Sequence, residues 1–250
     1  LSQQRVSLTF EVELAASGAA GTAPAWGPAM KACAMSQTIV SSTSVTYAPV
    51  SSSFDSCTFY LGIDGIRHKI TGARGSFSLN ASVGEIPVIS FTFTGIYNDP
   101  TDTALPTCTY ANQADPVIFK NGNTTALQIF SYAASLQSFS YDQNNETIYN
   151  EFVGGTKEIL VTDRKPAGEA VIEAPALSAK NFFTTATGSA TGNLTFQHGQ
   201  TAGNKVTFTA GQIDIASPAY TEENGIQMLS LPYVATPTSA GNNEISLALT

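Results

Sequence analysis

Between Gly72 and Tyr97 apolar and polar residues alternate with almost no interruption. Ile89, Phe91 and Phe93 occupy one side of the pattern, and Ser90, Thr92 and Thr94 the other. A period of two belongs to a β-strand with one buried face, because successive side chains point to opposite sides. Upstream, Phe77 and Leu79 alternate with Ser76, Ser78 and Asn80, and Gly84 and Pro87 break the two runs apart. The segment therefore predicts a β-hairpin. A fainter copy follows at Gly192 to Ile213. A constant offset of 117 residues sets Gly75 on Gly192, Ile89 on Val206, Phe91 on Phe208 and Ile96 on Ile213. A chain built on this unit is expected to be mainly β.

The remaining segments agree. Val6, Leu8, Phe10, Val12 and Leu14 alternate with Ser7, Thr9, Glu11 and Glu13, predicting a strand with one wet, acidic face. Thr22 to Met35 is rich in Ala and Met and predicts a short helix with Pro24 or Pro28 in its opening turn. Trp26, Met30 and Cys33 or Ala34 would share its inner face. Thr38 to Ala48 reads as one strand. Asp64-Gly65, between the apolar-rich arms Phe59–Ile63 and Ile66–Ile70, is a strong hairpin signal. Asn98 to Pro116 is polar and proline-containing, and reads as a long surface excursion suited to contact with a neighbour. Beyond it lie alternating runs up to Asp142, a turn at Asn144-Asn145, and strands at TIYNEFV, KEILVTD and GEAVIEAP. A short helix is expected at Ala176 to Thr184, with Leu177 and Phe182 or Phe183 inward. A strand follows at IQMLSLPYV, with Ile226, Met228 and Leu231 on its apolar side, and then a polar tail from Ala235. The layout predicts a β-sandwich or barrel with about one short helix in each half. One helix and one hairpin unit in each half suggest a duplication, with domains at 1–122 and 123–250.

Only 12% of residues are charged, and the net charge is −8. Such a chain is poorly suited to grip nucleic-acid phosphates, which are bound by Lys and Arg. No apolar run reaches the roughly 18 to 20 residues of a membrane helix. No signal-peptide pattern is visible, and the sequence opens on Leu1 rather than Met. Cys33, Cys57 and Cys108 are an odd set without metal-ligand spacing. His68 and His198 lack any metal or catalytic spacing, and both read as surface residues. GxSxG and the phosphate-loop spacing are absent, and Ser76 falls on a strand rather than at a strand–helix elbow. The acidic pairs Glu11/Glu13, Glu146/Glu151 and Glu222/Glu223 are candidates for glycosidase chemistry, and Glu11/Glu13, on a strand's polar face, are better read as solvated. Asn80, Asn123, Asn145 and Asn193 match the glycosylation pattern in a chain where chance supplies it. The reading is of a non-enzyme with no catalytic, cofactor or metal site. Unpaired sheet edges and polar excursions point instead to contact between copies.

The segments LTFEVELAASGAAGTAPAWGPAMKACAMSQTI (Leu8–Ile39), TSVTYAPVSSSFDSCTFYLGIDGIRHKITGARGSFSLN (Thr43–Asn80) and ISFTFTGIY (Ile89–Tyr97) resemble the tail tube proteins, or major tail proteins, of long-tailed bacteriophages. GNLTFQHG, KVTFTAG and ENGIQMLSLPY carry a weaker likeness in the second half. The resemblance implies a two-sheet β-sandwich or barrel fold with a short flanking helix, and a virion structural protein, assembled in the host cytoplasm, whose rings stack into a tail tube through which the genome leaves the capsid. It implies self-association as three two-domain chains per ring, or else six. It also implies tape measure, tail terminator and tip proteins as partners, and DNA passing through without specific binding or membrane contact. Ser90/Thr92/Thr94 and Thr207/Thr209 are candidates to line the lumen or to face outward, and Asn98–Pro116 a candidate for ring stacking. The competing readings are a secreted or surface β-sandwich binding module, such as an adhesin or carbohydrate-binding domain, and a β-rich hydrolase.

Overall fold

The computed structural model describes residues 3–188 and 190–250, so Leu1 lies outside it. Its first part forms β1 (Arg5–Glu13), α1 (Gly27–Ala32), β2 (Met35–Val40), β3 (Ser44–Pro49), β4 (Cys57–Ile63), β5 (Ile66–Ser82) and β6 (Val88–Asp102). Then come β7 (Thr124–Ile129), β8 (Leu136–Asp142), β9 (Asn145–Glu151), β10 (Lys157–Arg164), β11 (Ala167–Glu173) and α2 (Phe182–Thr187). β12 (Gly192–His198), β13 (Val206–Ile215), β14 (Ala219–Glu223), β15 (Ile226–Ala235) and β16 (Ser246–Leu249) follow.

Among the described residues, fourteen strands join one antiparallel sheet, ten along the path β1-β6-β5-β8-β11-β15-β13-β16-β3-β2 and β4, β7, β12 and β14 off it. The path ends on β1 and β2 and does not close into a barrel. It turns a corner where β15 meets β13, from Ile213 opposite Ala235 to Ile215 opposite Tyr233. The two wings then face each other across the core. Phe139 on β8 lies 4.9 Å from both Phe196 on β12 and Phe208 on β13. Tyr141 lies 5.4 Å from Phe208. The fold is thus the expected two-sheet β-structure with a flanking helix. β9 and β10 form a separate two-stranded hairpin.

The opening hairpin is β5–β6, with Phe77 opposite Phe91 and Leu79 opposite Ile89. Its inward residues Phe77, Phe91 and Phe93 are buried, while Ser76, Ser78 and Thr92 lie outward and are partly or fully exposed. The echo is β12–β13, with Phe196 opposite Phe208. Its connection, residues 199–205, is longer than the 83–87 connection of the first hairpin. The surroundings also differ: β1 pairs the downstream arm β6, whereas β7 pairs the upstream arm β12. Strand pairing crosses residue 122 from β5 to β8 and from β3 to β16.

The Asp64-Gly65 turn forms as expected, with φ of 44° and 83°. Such paired positive values match the right-handed twist of the flanking strands. Pro28, rather than Pro24, sits in the first turn of α1. Trp26 donates its indole N–H to Ala15 O at 2.9 Å and lies 5.4 Å from the Tyr47 ring. Gly27 permits this lid to seat, because a Cβ there would come within 2.5 Å of the Tyr47 hydroxyl.

Four expectations are corrected. Thr38–Ala48 is not one strand: the chain reverses at Ser41–Thr43, and β2 pairs back on β3. Ser42 takes a positive φ of 55° without the Gly or Asn that usually marks such a turn. The second helix starts at Phe182 rather than Ala176, because the Asn181 side chain accepts from Thr184 N at 3.1 Å and caps it there. Leu177 is left outside the helix and exposed. On β15 the core face carries Leu229, Leu231, Tyr233 and Ala235, while Ile226 is exposed. The polar tail ends in β16, which pairs with β13 and β3 and buries Leu247 and Leu249.

Candidate functional site

The broadest feature is the outer face of the first wing. Its register lines up hydroxyls and carboxylates in rows across the strands. Thr9 stands opposite Thr92, and Thr92 opposite Ser76. The next row runs Glu11, Ser90, Ser78, Asp142. Asn80, Ser140 and Glu169 continue the pattern onto β8 and β11. Short side chains and cross-strand bonds keep this surface shallow. Ser90 donates to Glu11 Oε1 at 2.7 Å, and the Ser230 hydroxyl donates to Glu169. Arg74 shares the face, but its guanidinium is consumed by the backbone carbonyls of Phe54, Asp55 and Ile159. The surface therefore presents hydroxyls and negative charge. Thr207 and Thr209 lie on the outward side of β13 and are half-buried, with the Thr209 and Thr195 hydroxyls 3.2 Å apart.

The other residues singled out in the sequence are dispersed. His68 is exposed on β5. His198 is not at the surface as expected: it is 2% exposed at the end of β12. Its Nδ1 lies 3.0 Å from the Thr124 hydroxyl and its Nε2 3.1 Å from Val117 O, with the ring against Phe119. Burial pushes its pKa down, and the Val117 contact opposes that shift only in part. The local sequence QHGQ gave no sign of burial, because the partners come from a loop some eighty positions away. Glu11, Glu13, Glu146, Glu151, Glu222 and Glu223 are all exposed. The Tyr149 hydroxyl and Lys157 hold the Glu151 carboxyl below its usual range. Cys33 is buried, Cys57 half-buried and Cys108 exposed, all as free thiols. Burial, and then the nearby Cys57, push the Cys33 thiol well up. Asn145 donates its amide to Cys33 O and Gly75 O, and Asn193 Oδ1 accepts from Ser131 N, so both side chains are occupied in holding backbone.

Sequence reasoning missed the polar clamps. Arg164 donates to Glu244 Oε1 at 2.8 Å, to Val50 O at 2.7 Å and to Asn242 Oδ1 at 2.8 Å. Asn204 accepts from Ala16 N and donates to Asp115 O. These contacts join segments far apart in the chain and have no local spacing by which to find them. The excursion after β6 is pinned at its base by Asn204 and by Ala114 N donating to Ala16 O. It begins later than expected, because β6 stays paired with β5 as far as Asp102. Leu105 and Tyr110 on it are 61% and 89% exposed. The arrangement offers surfaces for contact rather than a pocket of converging reactive groups.

A family model described as phage tail tube protein matches residues 1–235 of the chain. No curated protein matches it.

Proposed function

Because the chain belongs to the phage tail tube protein family and is a structural component of the virion tail, we propose that its copies form rings that stack into a tube serving as the conduit for genome ejection. The observation that carries this reading is the family match over residues 1–235. The outer face of the first wing supports it. DNA carries about one negative charge per 1.7 Å of its axis. A wall of Ser, Thr, Asp and Glu with its Arg74 sequestered repels that charge weakly and offers it few cationic anchors, Arg5 being exposed at the start of β1. In this reading Ser90 and Thr92 line the lumen, and DNA passes without specific binding.

The exposed excursion after β6 then stacks rings, through Leu105 and Tyr110. Three chains make a ring, with the halves 1–122 and 123–250 in alternating positions. The sequence echo and the matching Phe77–Phe91 and Phe196–Phe208 pairs support that count. Tape measure protein occupies the lumen before ejection, and terminator and tip proteins close the ends. Electron microscopy of the purified protein tests the reading. Stacked rings with a central channel are expected, and a strictly monomeric species at high concentration overturns it. Averaged end-on views test the count, and six chains per ring would refute the three-chain arrangement.

A further inference from the structure

The β9–β10 hairpin stands apart from the large sheet and ends in an unusual tip. Phe152 is 72% exposed and Val153 is fully exposed. A Cβ placed on Gly154 would meet nothing within 4 Å, and one on Gly155 would meet only Phe152. The tip thus holds two large apolar side chains in open solvent. The base of the hairpin attaches to the outer face of the first wing, through Arg74 bonded to Ile159 O and Asn145 N donating to Ser76.

The opposite face of that wing is incompletely covered. There Val6, Leu8, Phe10, Phe59, Leu61 and Ile63 line an apolar groove of about 570 Å³. Its floor is aromatic: Phe59 lies 4.7 Å from Phe93 and 5.9 Å from Phe10. Leu61 and Ile63 on its wall are each 54% exposed. Among the residues lining it the one fixed charge is Lys69. The tip is flanked by Glu151, Lys157 and Glu158; Lys157 pairs with Glu151 at 3.2 Å, which leaves Glu158 as the acidic charge beside it.

We propose that the Phe152–Val153 tip of one copy inserts into the Val6–Phe10/Phe59–Ile63 groove of a second copy. The tip supplies apolar bulk to a groove that lacks it, and Glu158 beside the tip meets Lys69. Exposed apolar surface of this extent marks an interaction site. Tip and groove belong to opposite faces of the same wing, so a chain cannot satisfy its own groove. The contact is head-to-tail, the type that generates closed rings or continuing stacks. This inference rests on the self-assembly reading and names the surfaces that serve it.

Two variants test it, Phe152→Ser at the tip and Leu61→Glu in the groove. Both side chains are exposed, so each variant should keep the wild-type circular dichroism spectrum and melting temperature. Each is expected to raise the concentration at which polymer forms by at least about tenfold, as loss of an interface anchor does. Mixed in equal amounts, the two should form heterodimers that do not extend, because only one groove and one tip remain intact. Benzoylphenylalanine installed at position 152 of isotopically light chains should cross-link to residues 6–10 or 59–63 of heavy chains. Assembly of either variant at the wild-type concentration, or cross-links mapping elsewhere, would overturn the contact while leaving the tube reading intact. Wild-type protein that never assembles would sink both.

Discussion

Replacing Phe139 with Ala tests whether the chain folds around one core or two. Phe139 is 2% exposed and lies between the wings, with the rings of Phe196 and Phe208 both 4.9 Å away and that of Tyr233 at 6.4 Å. Truncating a buried Phe costs about 3–5 kcal/mol, from lost burial and the cavity left behind. For a chain of this size that corresponds to a fall in melting temperature of about 10 °C. The reporter is Trp26, the one tryptophan, which sits in the other half of the chain. The two positions are linked through packed and paired residues: Phe208 faces Leu247, Leu247 faces Tyr47, and Tyr47 packs on Trp26. Urea unfolding followed by Trp26 fluorescence and by far-ultraviolet circular dichroism should give one coincident transition, shifted equally in both signals. Two separate transitions, with the Trp26 midpoint unmoved by Phe139→Ala, would refute the shared core.

Three further outcomes are expected. His198 has a lowered pKa in the fold, so the unfolded chain takes up the proton first; its contribution to stability is full above about pH 6.5 and declines on acidification. The stability difference between wild type and His198→Gln, measured by urea denaturation, should shrink from about pH 7 to about pH 5, and a difference that stays constant would refute the assignment. Arg164→Ala strands Glu244, whose side chain is 6% exposed, and should cost about 3–5 kcal/mol, much of it recovered by adding Glu244→Gln; calorimetry showing no recovery would place the loss elsewhere. A Cβ on Gly75 would lie 2.0 Å from Thr92 O, whereas one on Gly211 meets nothing within 4 Å. Gly75→Ala should therefore destabilise by about 1–3 kcal/mol and Gly211→Ala by much less, and equal melting temperatures would contradict the close approach.

What the sequence reveals follows from the range of the interaction. β1, β5, β6 and the Asp64-Gly65 turn are written in neighbouring residues, through alternation and a dipeptide that favours positive φ, and each was recovered. The turn at Ser41–Thr43 was lost because tertiary pairing of β2 with β3 imposes a conformation that its residues do not favour alone. β16 was hidden by its brevity, although Ile245, Leu247 and Leu249 do alternate with Ser246, Ala248 and Thr250. Leu177 was assigned inward from composition, but a cap four residues later set where the helix begins. The outer polar face was visible strand by strand, yet its continuity depends on the register between strands, which no single segment encodes. The tip at Phe152–Val153 looked like the end of an ordinary strand, since local pattern does not distinguish an apolar residue in a core from one in solvent.

The position of β16 sets a timetable. Leu247 faces Tyr47 across the sheet, so some two hundred residues separate the partners. Closing so long a span is slow relative to local hairpins. During synthesis β2 and β3 can pair with each other early, but the flank of β3 stays bare until Ser246–Leu249 emerges. A bare strand edge is a template for any neighbouring copy, including one growing on the same messenger. Pairing with Ser246–Leu249 covers that flank, so in the folded subunit this edge of β3 is no template for a second copy.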